Sequence, residues 1–180
     1  MMLLLARFGV NPNPLKRLER SDHELINALK KNLRPREKDQ GKTSLWDVRP
    51  DVRRFVLVGV AAKAKRLDQR DFLAFPLEWL KKHGFKVEQS DARQSFDCIK
   101  HHHYLLHLHS EEEVERLATA TVQALRNGPG VDGFPRIRVR VREIRKMLLE
   151  VNNECELPQH ERDGLQNWVV QELGKAESHP

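Results

Sequence analysis

A run of seven residues, Arg136 to Arg142, alternates without exception between arginine and a branched aliphatic residue. Side chains of a β-strand point alternately to its two faces, so this period of two predicts a strand with one arginine face. Burying unpaired guanidinium groups costs on the order of several kcal/mol each. We therefore expect that face to meet water, carboxylates or an anionic partner; it comprises Arg136, Arg138, Arg140 and Arg142.

A second segment, His101 to His109, carries five histidines in nine positions. If it is extended, Tyr104, Leu106 and Leu108 share one face, and the other face holds Leu105 with His101, His103, His107 and His109. Between the two segments, Ser110 and Glu113 form a capping box ahead of an apolar stripe, which predicts a helix from Glu111 to Arg126. Strand, helix and strand in this order predict a right-handed unit with the two strands as neighbours. The sheet face away from the helix would then collect four histidines and four arginines.

The rest of the chain divides into shorter elements. The apolar run from Met1 to Phe8 predicts a strand or a short helix, and Ser21 begins a helix with Leu25, Ile26, Leu29 and Leu33 on one face. Residues 36–44 contain no apolar side chain and predict a solvated loop. Residues 52–67 favour a helix, although Phe55 to Val60 would also suit a buried strand. A further helix is predicted from about Asp71 to Gly84, interrupted or restarted at Pro76. A hairpin formed by residues 85–89 and 96–109 follows, and helices are predicted at residues 144–151 and 165–173.

These elements indicate an α+β fold, with the capped helix packed on one face of a small sheet and further helices at both ends of the chain. The predicted parts are an N-terminal helical arm with a basic loop (1–44), an α+β core (45–145) and a C-terminal helical segment (146–180), together one compact domain. The alternative is a winged-helix arrangement. In that case Asp71 to His83 is the recognition helix and Phe85 to Lys100 the wing, with Lys81, Lys82 and Lys86 near phosphate.

Composition limits the setting and the class of partner. Lysine and arginine (32) exceed aspartate and glutamate (26) by six, so a polyanionic partner is favoured. Cys98 and Cys155 are too few to form a disulfide framework, which indicates a reducing compartment. The longest uncharged apolar stretch, Phe55 to Ala62, is too short to span a bilayer, and Met1 to Ala6 lacks the basic leader of a secretory signal. We expect a cytoplasmic protein without a membrane segment.

The function we predict is non-enzymatic binding of nucleic acid, DNA or RNA, or a role as the basic subunit of a nucleoprotein complex. Phosphate groups would contact the histidine and arginine face described above, and Arg145 and Lys146 would add charge beside it. That face carries no aromatic side chain for base stacking, so backbone contacts would dominate. No cofactor is predicted.

Two alternatives belong to other classes. The first is a protein-interaction subunit, in which the arginine face docks an acidic protein and Met1 to Phe8 packs against that partner. The second is a metal-dependent hydrolase or nuclease with His107 and His109 as metal ligands. His107-Leu108-His109 resembles the metal-binding pattern of HUH endonucleases, but the only tyrosine, Tyr104, lies upstream and on the opposite strand face. The stretch from His107 to Glu112 is loosely similar to the metallo-β-lactamase pattern and lacks its aspartate and final histidine.

Overall fold

A six-stranded antiparallel sheet forms the centre of the protein in the computed structural model, which describes residues 1–5, 21–35, 37–63, 70–90, 97–127, 136–139, 143, 146–147 and 150–151. The strands are β1 (Met2–Leu5), β2 (Lys42–Asp47), β3 (Arg70–Pro76), β4 (Val87–Gln89), β5 (His103–His107) and β6 (Arg136–Val139). Their order across the sheet is β4-β5-β2-β1-β3-β6. The helices are α1 (Asp22–Leu33), α2 (Arg53–Lys63), α3 (Leu77–Lys82), α4 (Asp97–Lys100) and α5 (Glu111–Asn127), with a short 3-10 turn at Glu37–Asp39. The predicted α+β class is confirmed.

Helices α1 and α5 pack against each other and run in opposite directions. Asp22 at the start of α1 pairs with Arg126 at the end of α5, and Arg34, just after α1, pairs with Glu111 at the start of α5. Apolar side chains from both helices enter the core, including Leu25, Leu29, Val114, Leu117 and Val122. Both helices were predicted from their capping boxes and apolar stripes, and both predictions are confirmed.

The N-terminal segment belongs to the sheet. β1 lies between β2 and β3, and the side chain of Leu3 is completely buried. Both backbone edges of Met2 to Leu5 are paired within the chain, whereas residues 6–8 lie outside the described residues, so packing of Met1 to Phe8 against a partner stays a prediction. The division of the chain into three parts stays a prediction, but the described residues before position 44 do not form an arm apart from the sheet.

Residues 36–44 are not simply a solvated loop. β2 begins at Lys42, and the next residue, Thr43, is completely buried. The buried hydroxyl of Thr43 is satisfied because it donates a hydrogen bond to the carbonyl oxygen of Leu33. This bond joins the start of β2 to the end of α1. A polar residue can therefore occupy the interior, which the apolar pattern alone does not reveal.

The segment from Asp71 to Gly84 was predicted as a helix interrupted or restarted at Pro76; the start at Pro76 is confirmed, but the helix predicted before it is wrong. Residues up to Pro76 form β3, and only Leu77–Lys82 are helical. The predicted end of the helix is confirmed, since Gly84 follows it with a φ of +74°. The winged-helix alternative is excluded, because a six-residue α3 takes the place of the recognition helix within a six-stranded sheet.

Residues 53–63 form a helix, as predicted, and the strand alternative for this segment is wrong. The predicted hairpin is confirmed in its pairing, since β4 and β5 are antiparallel neighbours, but residues 97–100 form α4 rather than extended chain. Lys146, Met147, Glu150 and Val151 are helical, within the helix predicted there. The helix predicted at 165–173 lies outside the described residues. None of the helices in the described ranges combines the length and apolar content that crossing a bilayer requires.

Candidate functional site

The histidine and arginine strands are not neighbours, which corrects the central geometric prediction. β5 and β6 are separated by β2, β1 and β3. At about 4.8 Å per strand, the two strands lie roughly 19 Å apart. The connection through α5 therefore crosses most of the sheet, and no shared face of adjacent histidines and arginines exists between β5 and β6.

Two of the four predicted histidines are buried and two are exposed. His103 and His107 are buried, with 7% and 8% of their surface exposed, so they do not form an open face. The ring of His103 lies 4.7 Å from that of Trp46, its cross-strand partner on β2. His101 and His109 are exposed but lie outside β5, before and after the strand. The predicted row of four breaks at His101 because that residue follows α4 in a turn.

The arginine segment forms the opposite edge of the sheet. Arg136 and Arg138 pair with Leu73 and Asp71 of β3, and strand β6 ends at Val139 in the structure. Arg140, Arg142 and Arg145 lie outside the described residues. Lys146 is helical and exposed.

The structure brings His107 and His109 together with three charged side chains at the β4 edge. We call this group, Lys42, Lys86, Glu88, His107 and His109, the Glu88 cluster. His107 Nε2 lies 3.0 Å from Glu88 Oε1, at ion-pair distance but without the alignment of a hydrogen bond. Lys42 Nζ lies 3.4 Å from the same oxygen, and Lys86 Nζ lies 3.9 Å from Glu88 Oε2. His107 Nδ1 and His109 Nε2 are 3.3 Å apart, so one of these nitrogens donates to the other.

Strand register places these groups on one face. Lys42 of β2 is the partner of His107 on β5, and Glu88 of β4 is the partner of Leu105, two positions before His107. Since side chains two residues apart on a strand point the same way, Lys42, Glu88 and His107 lie on the same side of three adjacent strands.

Gly41 fixes the position of His109. Its carbonyl oxygen accepts a hydrogen bond of 2.7 Å from the backbone N–H of Leu108, and its φ is +73°. A Cβ on this residue would lie 2.6 Å from His109 Nδ1, so the imidazole rests directly on the glycine backbone. Glu113 of α5 holds the backbone of His109, because its carboxylate accepts a 2.6 Å hydrogen bond from the backbone N–H of His109.

The electrostatics of the cluster favour a charged carboxylate with surplus positive charge around it. Partial burial alone would raise the pKa of Glu88, but the contacts from Lys42 and His107 outweigh burial and bring this pKa below its ordinary value. Glu88 is therefore ionised at neutral pH. Two ammonium groups then face this one carboxylate, and Lys86 is the more open of them, with 70% of its side chain exposed.

A metal site at His107 and His109 finds no support in the geometry. His107 and His109, whose Nδ1 and Nε2 atoms lie 3.3 Å apart, would supply two ligands, whereas protein zinc sites use three or four. Among the residues that the structure describes, no group of three or more histidine, cysteine, aspartate or glutamate side chains could hold a metal ion. The two ammonium groups around Glu88 suit the attraction of anions.

Lys42 and Glu88 were absent from the predicted sites, and Lys86 was named only in the winged-helix alternative, although a signal for Glu88 was present. The alternating residues 85–89 predicted one strand of the hairpin whose other strand carries the histidines. Pairing the two strands would have brought Glu88 near them. Lys42 could not be found in this way, because residues 36–44 were predicted to form a loop.

Fold and site together define an antiparallel α+β protein with a basic cluster at one sheet edge. No protein-family model, no curated protein and no solved structure matches the chain.

Proposed function

We propose that this protein binds the phosphate backbone of a nucleic acid through the Glu88 cluster and does not catalyse a reaction. The observation that supports the proposal is the ratio of charges in the cluster. Lys42 and Lys86 both approach a single carboxylate, that of Glu88. Lysine ammonium groups bind phosphate as point charges, without reading the bases.

The Arg136–Val139 strand supplies a second basic segment at the other edge of the sheet. With six strands about 4.8 Å apart, the two edges are separated by roughly 24 Å. A short oligonucleotide would therefore engage one edge at a time, whereas a longer polyanion could contact both. Affinity should accordingly rise with the length of the nucleic acid.

Fluorescence anisotropy with labelled single-stranded and duplex DNA and RNA tests the proposal. We expect binding with little sequence preference and an affinity that falls linearly on a log-log plot as salt rises from about 50 to about 200 mM. The absence of binding to all four nucleic acids at low salt would overturn the proposal.

The same experiment with polyglutamate in place of nucleic acid distinguishes a protein-interaction subunit from a nucleic-acid-binding protein. If polyglutamate binds and nucleic acid does not, the basic surface docks an acidic protein partner instead. If neither polyanion binds, the Glu88 cluster has no role in attracting extended anions.

A further inference from the structure

A second polar cluster lies at the other end of β5 and surrounds the carboxylate of Asp47. This carboxylate is completely buried at the end of β2. Its Oδ1 accepts a 3.0 Å hydrogen bond from the backbone N–H of Arg49, and its Oδ2 accepts one of 2.6 Å from Arg49 Nε. His102 Nδ1 lies 3.7 Å from the same Oδ2. A buried charge of this kind requires such partners, and it fixes their positions in return.

Arg49 is held by one nitrogen and presents the others to solvent. Its side chain is 52% exposed although Nε is bound to Asp47. Guanidinium carries five N–H donors, and only the one on Nε has a hydrogen-bond partner among the described residues. The side chain is therefore oriented before any ligand arrives, which reduces the entropy lost on binding.

Tyr104 adds a hydroxyl donor with a poor acceptor. Its hydroxyl donates to the thioether sulfur of Met1 at 3.6 Å, and thioether sulfur accepts hydrogen bonds only weakly. Burial raises the pKa of Tyr104 and the Asp47 carboxylate raises it further, while Arg49 partly opposes them. The hydroxyl thus keeps its proton at neutral pH and is free to exchange sulfur for a stronger acceptor.

From these three donors around one carboxylate, we infer that Arg49, His102 and Tyr104 form a binding site for an oxyanion group, either a phosphate or a carboxylate, carried by a small ligand. The guanidinium supplies a planar fork that matches two oxygens, and the hydroxyl and imidazole supply single hydrogen bonds. The site does not depend on the proposed function, since the strand register places Tyr104 on the opposite sheet face from Glu88 and His107, and His102 lies roughly 17 Å from His107 by strand geometry.

The guanidinium of Arg49 keeps its positive charge in this setting. Asp47 and Asp51 are the acidic groups that act on Arg49, and both raise its pKa, so the guanidinium stays charged. Asp51 is exposed and therefore well screened by solvent.

Titration of the full-length protein by amide NMR, once with inorganic phosphate and once with acetate, tests the site. We expect saturable shifts at the amides of Arg49, His102 and Tyr104. Saturation with phosphate alone, acetate alone or both supports the site and identifies its ligand chemistry. Tyr104→Phe keeps the ring and removes the donor, which should weaken binding about tenfold, the value of one hydrogen bond to a charged group.

Two further variants make the result specific. Arg49→Lys keeps the positive charge but removes the planar fork, so it should weaken binding at least as much as Tyr104→Phe. Arg53→Gln removes an exposed charge beside the site and serves as the matched control, with an expected change below about twofold. The inference is wrong if neither anion gives saturable shifts at these amides, or if Arg53→Gln weakens binding as much as the two site variants.

Discussion

The imidazole of His109 rests on the Cα of Gly41, so closely that a Cβ there would stand 2.6 Å from Nδ1. The contact joins the start of β2 to the residue that follows Leu108, and a backbone hydrogen bond from Leu108 to Gly41 supports it. Glycine is needed at this position for two reasons. The backbone has a positive φ, and the ring of His109 occupies the space that a side chain would need.

Substitutions at Gly41 distinguish the effect of backbone strain from the effect of steric contact with His109. Gly41→Ala should lower the free energy of unfolding by about 1 to 3 kcal/mol, because alanine is strained at a φ of +73° and its methyl group displaces His109. Urea unfolding followed by circular dichroism measures the loss. Gly84→Ala is the matched control, since Gly84 has nearly the same φ and its nearest neighbour stands 3.6 Å from the added Cβ.

The difference between the two glycine variants reports the contact with His109. Gly41→Ala should be the more destabilising, and the excess should disappear when the comparison is repeated with His109→Ala in both proteins. Equal losses in the two variants of the natural chain would show that only backbone strain matters at Gly41.

The lowered pKa of Glu88 predicts a contribution to stability that depends on pH. The pKa is lower in the folded protein than in the unfolded chain, so the contribution is present above the ordinary value of 4.5 and is lost as pH falls through the folded value. Glu88→Gln should therefore be less stable than the natural chain near neutral pH, and the difference should shrink as pH falls below 4.5 and vanish below the folded pKa of Glu88.

Urea unfolding of both proteins across an acid pH series provides the measurement. Glu78→Gln is the control, because Glu78 is an exposed carboxylate that pairs with Lys81 on its own helix. A stability gap between Glu88→Gln and the natural chain that stays constant from neutral pH into acid would contradict the electrostatic role of Glu88.

Local signals in the sequence were sufficient for α1 and α5 but not for α3, for α4 or for the order of the strands. Ser21 with Glu24 and Ser110 with Glu113 begin α1 and α5 as predicted, because a capping box is formed by neighbouring residues. Strand neighbours are chosen by contacts far apart in sequence. β1 inserts between β2 and β3, and β6 adds beyond β3, so the histidine and arginine strands end up apart.

The residues of the candidate site show the same contrast between local sequence signals and long-range strand pairing. The alternation in the segment from His101 to His109 correctly placed His103 and His107 on one face of a strand, but it could not reveal that Trp46 covers His103. Glu88 and Lys42 enter the cluster through register with neighbouring strands, and register depends on the whole sheet. The sequence therefore predicted the two histidines of the Glu88 cluster, His107 and His109. Their charged partners became apparent only from the fold.

Removal of the two lysines tests the central proposal most directly. The double variant Lys42→Gln, Lys86→Gln takes away the ammonium groups that face Glu88 and leaves His107 and His109 in place. Lys31→Gln, Arg53→Gln removes the same net charge at two exposed positions on α1 and α2 and is the matched control.

The decisive quantity is the slope of the logarithm of affinity against the logarithm of salt concentration, measured with single-stranded nucleic acid. Loss of two phosphate contacts should reduce the magnitude of this slope by about 1.4 in the Lys42 and Lys86 variant, with little change in the control. Identical slopes for the two double variants would contradict the proposal that the Glu88 cluster binds the phosphate backbone.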